Sequence, residues 1–497
     1  MNMKKISAAV AATLAGVVSS AAFALPASQY NSTPGDTLDV FVSGASAQDG
    51  ALERLFRNSC DAGTLDIFRA GSNQRVLFCR VSNAGVAGFP VAGQKVAIHK
   101  TSVGGSGNGV QPVANQTSLN FIDMNAIKSG AITCTGTSSV PAETPVPGVT
   151  FAGYTDHTGC GSTSGTRAAV PDGGISDVEP ALVGASESEI SRLNVQSQNA
   201  VVFGVPVTEA LRNALQQAQG LTVGAEDEAN MPSLSKAQLA SIYNGGITDW
   251  TQLVNATGTD LPSAASVPPA DNQVYLCRRV PTSGTQASFE VYMLAQRCIS
   301  GVAPMLSSND GGVVGAGTVN EGSGTGNVIS CLNTHDGANR WAVGLFSTEN
   351  VETNAVAGVN DGNVWRFIKI NGAAPTLLNT ANGKNDFFME QSIQWRNAAS
   401  GNALAGLKLT LMQDVAANAG SPSIIRAVNN GFHHSWGDGG VMALITNGHV
   451  PTMPAPGNPV AAGDVSDNPV LTSTKSPNGA PNNCQTPVTY FPVSVAN

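Results

Sequence analysis

The apolar positions of this chain recur in one unit: a short β-prone run, a turn of small polar residues, and a segment with apolar residues at helical spacing. The run at 38–42 is followed by Ser-Gly-Ala-Ser-Ala at 43–47, and then by Leu52, Leu55 and Phe56 on one helix face. This spacing predicts strand, turn and helix. Repetition of the unit predicts an α/β fold with largely parallel sheets, in which ligands bind at the carboxyl ends of strands.

The clearest example of this unit is the stretch Arg-Arg-Val-Pro-Thr-Ser-Gly-Thr at 278–285. It follows the apolar run 274–276 and precedes apolar residues at helical spacing. Ser283, Gly284 and Thr285 are therefore predicted at a helix N-terminus, where backbone N–H groups lack helical partners and the dipole is positive. With an arginine nearby, these groups suit a tetrahedral anion. An ordinary Ser/Thr cap beside a solvated arginine pair would leave the same pattern.

Two other turns have the same polar character. The strand pattern at 95–100 ends in the glycine-rich segment 102–110, whose backbone can approach a ligand closely and turn several N–H groups inward. The segment 172–177 ends in Ser176 and Asp177. Taken singly, the first is equally a flexible surface loop, and an aspartate in the position of the second is more often a cap than a ligand. Turns at the ends of parallel strands, however, can converge on one cleft.

Other segments complete the predicted fold. The run 201–207 is a buried strand pattern and a candidate crossing into a second lobe. A helix is predicted at 234–243, begun by a serine and ended by Asn-Gly-Gly, and another at 404–417. Residues 328–329 and 341–346 are predicted as core strands because they are apolar and β-prone.

The N-terminus has the three parts of a secretory signal. Lys4 and Lys5 are the charged part, an Ala-rich apolar run continues to about Val18, and Ala-Phe-Ala at 22–24 fits a signal-peptidase site. The mature chain is expected to start at Leu25, with no cysteine there for a lipid anchor. No later apolar run is long enough to span a bilayer. The sequence therefore predicts a periplasmic or secreted protein that is not membrane-embedded.

Composition narrows the possible partners. Charged residues are 12% of the 497, and the formal charge of −9 becomes −11 once Lys4 and Lys5 are removed with the signal. An acidic chain without basic runs is a poor nucleic-acid binder, so no nucleic acid partner is expected. Local backbone dipoles and one arginine are still sufficient to bind a small anion.

The cysteine pattern predicts disulfides. An even number in an exported chain indicates disulfide pairing, and the absence of Cys-x-x-Cys spacing argues against a zinc or redox site. The eight cysteines are Cys60, Cys79, Cys134, Cys160, Cys277, Cys298, Cys331 and Cys484.

Chain distance gives candidate pairs. Cys60–Cys79 and Cys134–Cys160 would each close a local loop. A predicted helix of about 15 residues, roughly 22 Å long, would hold Cys277 and Cys298 apart. The expected remaining pairs are Cys298–Cys331 and Cys277–Cys484.

These turns, taken together, resemble the ligand loops of the periplasmic phosphate-binding proteins of ABC transporters. Residues 279–285, Arg-Val-Pro-Thr-Ser-Gly-Thr, resemble the family's Arg-x-Asp-x-Ser-Gly-Thr, and 105–110, Gly-Ser-Gly-Asn-Gly-Val, are similar to its Gly-Ser-Gly-x-Gly-Ile. Residues 174–177 resemble its Gly-Ala-Ser-Asp, and 43–47 its first loop, Gly-Ala-Gly-Ala-Thr. Residues 234–250 are similar to its signature helix and tryptophan. Order and spacing agree across most of the chain.

The resemblance implies a two-lobe type II periplasmic-binding-protein fold with disulfide-tied insertions. The implied divisions are a signal peptide at 1–24, lobe 1 at 25–205 with insertions at about 60–94 and 111–171, lobe 2 at 206–335, a return to lobe 1 at 336–451, and a Pro/Gly/Asn-rich tail at 452–497.

The resemblance also implies a ligand set. Arg279 would pair with the anion, and hydroxyl and N–H groups would donate to it. Asp177 would accept a hydrogen bond from a protonated phosphate oxygen, which sulfate cannot supply at neutral pH. Pro281 stands where the family has an aspartate that orients the arginine, and Gln48 where it has a threonine. The full set is Ser46, Ser106, Asp177, Arg279, Ser283, Gly284 and Thr285.

The function implied is capture of phosphate, or a related oxyanion, for delivery to an ABC transporter permease, by a monomer without cofactor or catalytic residues. The alternative is a secreted or surface protein that reuses this fold for scavenging or adhesion without transport. An enzyme, such as a metallophosphatase, would need the cluster of His433, His434 and Asp438, since His and Asp can bind metals. Adjacent histidines point in different directions on a regular element, so a joint metal site is not expected.

Overall fold

A computed structural model of the protein describes residues 25–33, 35–82, 93–161, 165–352, 363–452, 460–477 and 480–489. The predicted signal peptide and parts of the predicted insertions and tail lie outside these residues. Within them, the helices are α1 (Asp49–Ser59), α2 (Gly105–Asn108), α3 (Gln111–Asn115), α4 (Met124–Lys128), α5 (Glu187–Ile190), α6 (Glu209–Ala218), α7 (Lys236–Asn244), α8 (Leu261–Ala264), α9 (Gly284–Leu294), α10 (Thr325–Gly337), α11 (Leu377–Ala381), α12 (Gly406–Asn418), α13 (Pro422–Asn429) and α14 (Ala462–Asp467).

The described strands are β1 (Thr37–Gly44), β2 (Leu65–Ala70), β3 (Gln74–Arg80), β4 (Lys95–Thr101), β5 (Leu119–Ile122), β6 (Gly136–Val140), β7 (Glu143–Val146), β8 (Val149–Phe151), β9 (Tyr154–Thr158), β10 (Thr166–Ala169), β11 (Gly173–Ser176), β12 (Leu193–Thr208), β13 (Ser233–Leu234), β14 (Tyr275–Arg279), β15 (Val319–Gly322), β16 (Ala342–Gly344), β17 (Phe346–Ser347), β18 (Trp365–Ile370), β19 (Phe388–Arg396), β20 (His433–His434), β21 (Gly437–Asp438), β22 (Val441–Ala443), β23 (Ser473–Thr474) and β24 (Val488–Thr489).

One large mixed sheet organises the molecule, in the strand order β15-β14-β16-β12-β19-β11-β1-β4-β3-β2-β9-β6. This confirms an α/β fold with a large central sheet. The expectation of largely parallel pairing is wrong, because parallel pairs (β1 with β4 and β11, β14 with β15 and β16) are joined through antiparallel ones. The joining strands, β12 and β19, return along the sheet instead of crossing over by a helix.

The longest strand, β12, lies between the group β14, β15 and β16 and the strand β19, which leads to β11, β1 and β4. Its first part pairs with β19 from Leu193 to Val202, and its last residues pair with β18 and β16. The strand is buried along nearly its whole second half because both faces are covered. The predicted crossing run at 201–207 lies within it. Strands β2, β3, β9 and β6, from the cysteine-bearing segments, extend the same sheet at one end.

Several local predictions are confirmed by the structure. Helix α7 begins with a capping box between Ser235 and Gln238 and ends at Gly245 in the left-handed region. Ser283 is the N-cap of α9, its hydroxyl oxygen accepting the backbone N–H of Gln286. One strand prediction is wrong: residues 328–329 belong to α10, where Val328, Cys331 and Leu332 form one buried face at three- and four-residue spacing.

All eight cysteines form disulfides, and two of the four expected pairs are wrong. Cys60–Cys79 and Cys134–Cys160 are present as expected. The others are Cys277–Cys331 and Cys298–Cys484, with Cα separations of 5.9 and 5.5 Å. Cys331 lies on α10, which packs on β14, the strand that carries Cys277, and this packing places the two cysteines side by side. Cys298 follows α9 and meets the C-terminal segment instead. No described helix is long and apolar enough to cross a membrane.

Candidate functional site

The turns after β1, β4 and β11 meet through their backbones. A Cβ built on Gly174 would lie 1.8 Å from the carbonyl oxygen of Gly109, and one on Gly44 would lie 1.9 Å from that of Ile175. Gly44 also has a φ angle of +111°, which residues other than glycine rarely adopt. Only glycine fits at these three positions, which we call the glycine contact (Gly44, Gly109 and Gly174). It brings three strand ends together.

A buried lysine supports the first of these turns. The Lys100 ammonium donates to the carbonyl oxygens of Gly44 and Ala45 at 3.0 and 3.1 Å, and it lies 3.1 Å from a carboxylate oxygen of Asp49. Burial lowers the pKa of Lys100, while the Asp49 charge opposes this shift. Carbonyl groups that would otherwise point into the protein are thereby satisfied.

Ser106 and Asp177 form a buried pair at the same strand ends. The Ser106 hydroxyl oxygen accepts the backbone N–H of Asp177 at 3.0 Å, and the hydroxyl donates to Asp177 Oδ2 at 3.3 Å. Gln391, on β19, donates its amide to Asp177 Oδ1 at 2.9 Å. Burial raises the pKa of the Asp177 carboxyl, opposed by the Gln391 hydrogen bond and the charge of Arg279. The carboxyl is thus fixed in direction by Ser106 and Gln391.

Arg279, at the end of β14, begins the segment 279–285, which we call the arginine loop. Its Nη1 donates to Thr325 Oγ1 and its Nη2 to the Ser323 carbonyl oxygen, each at 3.0 Å. The residue is 6% exposed, and its Nε has no hydrogen-bond partner among the described residues. Burial lowers the pKa of the guanidinium, while the Asp177 carboxylate raises it. A buried cation with a free donor is suited to a bound anion.

The arginine loop lies directly against Ser106 and Asp177. A Cβ built on Gly284 would be 2.2 Å from Ser106 Oγ and 2.8 Å from Asp177 Oδ2. A Cβ on Gly105 would be 4.0 Å from Arg279 Nη2. The structure therefore brings residues from three distant parts of the sequence together at one point.

The remaining predicted residues divide between this point and the surface. Ser283 and Thr285 are buried, 1% and 7% exposed, in the turn and first helical turn that open α9. Ser46 is exposed and is not joined to the group by any contact found among the described residues. Gln48 is buried instead, and its amide donates to Asn199 Oδ1 at 2.5 Å and also to Gln391 Oε1.

The structure adds to the site four residues that the predicted ligand set does not include. Gln48 and Gln391 extend the hydrogen-bonded chain from Asp177, and Thr325 orients Arg279 by accepting from its Nη1. Glu349 follows β17; burial of its carboxyl raises the pKa to about 8, and the charge of Asp177 adds to this shift. The one available signal for Gln391 was a polar side chain within a strand that is buried along its whole length.

Neither candidate metal cluster has the character of a metal site. His433 is exposed and pairs with Asp438 at 2.6 Å, whereas His434 is buried against Glu352 and stacks on Trp436 at 4.1 Å. The two imidazoles thus point in different directions. Cys277, Cys331 and His335 are close, but the two sulfurs are bonded to each other and are not available as thiolate ligands.

Comparison with known proteins gives similarity at the level of solved structures. No protein-family model matches the sequence, and no curated protein matches it. A putative phosphate ABC transporter substrate-binding protein with bound phosphate from Clostridium perfringens is 12% identical, with a TM-score of 0.40, covering 78% of this chain and 97% of that one. PstS from Borrelia burgdorferi is 12% identical, with a TM-score of 0.34, and the match covers 79% of this chain and 97% of that one. An ABC-type phosphate transport receptor from Vibrio cholerae is 20% identical, with a TM-score of 0.30, and the match covers 53% of this chain and 80% of that one. Similarities this weak do not identify a family or a ligand, so the ligand must be inferred from the site.

Proposed function

We propose that this protein is an exported solute-binding protein that holds phosphate, or a related tetrahedral oxyanion, where the arginine loop meets Ser106 and Asp177. The observation that carries the proposal is the contact of Gly284 with both Ser106 and Asp177, beside the buried Arg279. N–H groups at the start of α9, three hydroxyls and a guanidinium provide donors on one side of the anion. The donors belong to Ser106, Arg279, Ser283, Gly284 and Thr285.

Asp177 sets the preference among anions in this proposal. Its carboxyl is buried and needs a donor for its remaining lone pairs. A protonated phosphate oxygen supplies a donor, whereas sulfate has none at neutral pH and would face an unpaired carboxylate. The protein therefore selects phosphate-like ions that carry a proton.

In this function the mature chain begins at Leu25, and two lobes (25–205 with 336–451, and 206–335) enclose the ion. Delivery requires a partner, which would be the permease of an ABC-type transporter. Ser46 would join the site only if the first turn moved, because it is exposed in this structure.

Retention of the ion without transport is the second candidate, favoured by the C-terminal segment. Cys484 is bonded to Cys298 beside α9, and the neighbouring Asn483 donates to both carboxylate oxygens of Glu179, on the other side of the site. A segment that ties both sides resists opening, which suits scavenging more than rapid delivery.

Isothermal titration with phosphate and with sulfate, on protein freed of bound phosphate by unfolding and refolding, tests the proposal. We expect heat with phosphate and little with sulfate. Arg279→Ala should weaken phosphate binding by about 3 kcal/mol or more, because it removes the partner of a buried anion. Asp177→Asn should narrow the preference for phosphate over sulfate with little loss of folding.

Arg426→Ala is the matched control, since Arg426 pairs with the exposed carboxylate of Asp467 on the surface. It should leave binding unchanged. Absence of heat with phosphate in the refolded wild type would overturn the proposal, and an unchanged preference in Asp177→Asn would remove the role given to Asp177.

A further inference from the structure

The segment after α9 has an unusual backbone. Ala295 and Arg297 have φ values of +53° and +68°, in the left-handed region where residues other than glycine are uncommon. Such conformations persist only where surrounding contacts determine them. Cys298, the next residue, is fixed by its disulfide to Cys484. The backbone is thus turned so that the Arg297 side chain points back along α9, toward the arginine loop.

Arg297 makes three contacts that no local pattern in the sequence predicts. Its Nε pairs with Glu290 Oε2 at 2.5 Å, and its Nη2 donates to the carbonyl oxygen of Pro281, in the arginine loop, at 2.9 Å. Its Nη1 donates to the carbonyl oxygen of Leu182. One guanidinium therefore joins α9, the arginine loop and a turn on the far side of the site.

A second connection runs from Arg297 to the start of the loop. Glu290, 5% exposed, accepts the amide of Gln286 at 2.7 Å through Oε1. Gln286, fully buried, accepts the backbone N–H of Arg279 at 3.1 Å. The same ion pair thus supports the loop at two points, the Arg279 N–H and the Pro281 carbonyl group. Buried polar networks of this kind hold a single geometry when every member is satisfied.

The third contact crosses the site. Leu182 lies in the 3₁₀ turn Pro180–Val183, which follows Asp177 by only a few residues. Glu179, at the start of this turn, holds Asn483, and Cys484 is bonded to Cys298. Arg297 and the C-terminal segment therefore connect the same two sides by independent routes.

We propose that Arg297 is a positioning residue, which fixes the arginine loop against the 180–183 turn and thereby slows release of the bound oxyanion. The effect on release rests on the function proposed above, whereas the effect on the loop does not. Because Arg297 contacts the Pro281 carbonyl and not the ion, it acts on the geometry of Ser283 and Gly284 rather than on ligand charge.

The test compares Arg297→Gln with the double variant Arg297→Gln/Glu290→Gln, in which no unpaired carboxylate is left in the protein interior. Arg426→Gln is the control, because it removes an arginine–carboxylate pair on the surface. Amide hydrogen exchange is followed at residues 281–286 in ligand-free protein. We expect exchange there to rise about tenfold in both Arg297 variants and to stay unchanged in the control.

Phosphate dissociation is then measured by stopped flow. We expect the dissociation rate to rise about tenfold while the association rate changes by less than about threefold, since a loosened loop shortens residence. Arg297→Lys should recover part of the loss, because an ammonium can pair with Glu290 but cannot hold both carbonyls. Unchanged exchange at 281–286 in the folded variants would overturn the inference. Wild-type protein that binds no phosphate would overturn the proposed function, while the exchange result would still decide the role of Arg297.

Discussion

The two sides of the site are built by different means. At the glycine contact, backbones touch one another, and any side chain at Gly44, Gly109 or Gly174 would occupy the space of a carbonyl group. The arginine loop is instead held in place by hydrogen bonds with the side chains of Gln286, Thr325 and Arg297. The glycine contact depends on the absence of side chains, whereas the arginine loop depends on side-chain hydrogen bonds.

The difference separates what can vary from what cannot. In a contact between two backbones no side chain can change its rotamer, so one added methyl group must shift a backbone segment. A loop held by several hydrogen bonds loses one at a time and keeps its general course. This explains how Pro281 can stand at a position where the resemblance implies an orienting aspartate: Thr325 and the Ser323 carbonyl orient Arg279 from the neighbouring strand's turn.

Gly174→Ala is the strongest test of the rigid side. Its Cβ would lie 1.8 Å from the Gly109 carbonyl oxygen, so we expect a loss of about 3 kcal/mol or more in unfolding free energy, or no folded protein. Urea unfolding measures the change. Gly326→Ala is the control: nothing lies within 4 Å of its Cβ in α10, and alanine there should stabilise by about 0.5–1 kcal/mol. A Gly174→Ala protein as stable as wild type would contradict the glycine contact.

Glu349→Gln tests the acidic group whose carboxyl interacts electrostatically with Asp177. The pKa of Glu349 is raised to about 8, so between pH 5 and 8 the unfolded chain loses a proton that the folded chain keeps. Stability should therefore fall as pH rises through this window, and the glutamine variant should lack that part of the fall. We expect the variant to gain on the order of 3 kcal/mol relative to wild type from pH 5 to 8. Unfolding at the two pH values measures it, with the exposed Glu187→Gln as control; equal slopes would refute the assignment.

Gln286→Ala tests the adjustable side. It leaves the Arg279 N–H and the Glu290 carboxylate each without one partner, which should cost about 2 kcal/mol of unfolding free energy. The protein should still fold, and weakened phosphate binding should accompany the loss. Gln217→Ala, at an exposed glutamine, should have little effect on either measurement. A variant that fails to fold would show that the loop is as rigid as the glycine contact.

Thr325→Val should have the smallest effect. It removes one of the two hydrogen bonds that orient the Arg279 guanidinium, so phosphate binding should weaken by about 1 kcal/mol, roughly fivefold, with unchanged stability. Titration calorimetry measures this change. Thr334→Val, on the exposed side of α10, is the matched control. A loss as large as that of Arg279→Ala would mean that Thr325 itself contacts the anion.

The sequence was informative where local chemistry decides structure. Ser283 and Gly284 could be predicted at a helix N-terminus, and Ser106 and Asp177 as strand-end residues, because caps and turns depend on a few neighbouring positions. Their convergence in the structure required only the general placement of strand ends in α/β sheets. The resemblance supplied the order of these turns, while the role of each residue in binding remains a prediction.

The parts that could not be predicted depend on distant contacts. The pairing predicted for Cys331 is wrong, and so is the strand predicted at 328–329, where Val328, Cys331 and Leu332 have helical spacing. Gln391 is a polar residue inside a buried strand, and only the position of Asp177 explains it. Arg297 gave no signal at all, since its partners Pro281 and Leu182 offer backbone carbonyls, which every residue has.

The connectivity of two disulfides bears on how the protein is made. Cys298 lies within the chain segment that the Cys277–Cys331 bridge closes, and its own partner is 186 residues further on, so the two bridges interleave. A chain synthesised from its N-terminus under oxidising conditions would expose Cys277 and Cys298 before either true partner. Oxidation in order of arrival joins the wrong sulfurs, and the native set is then reached only by thiol–disulfide exchange. Recombinant production accordingly calls for a host with an active disulfide isomerase.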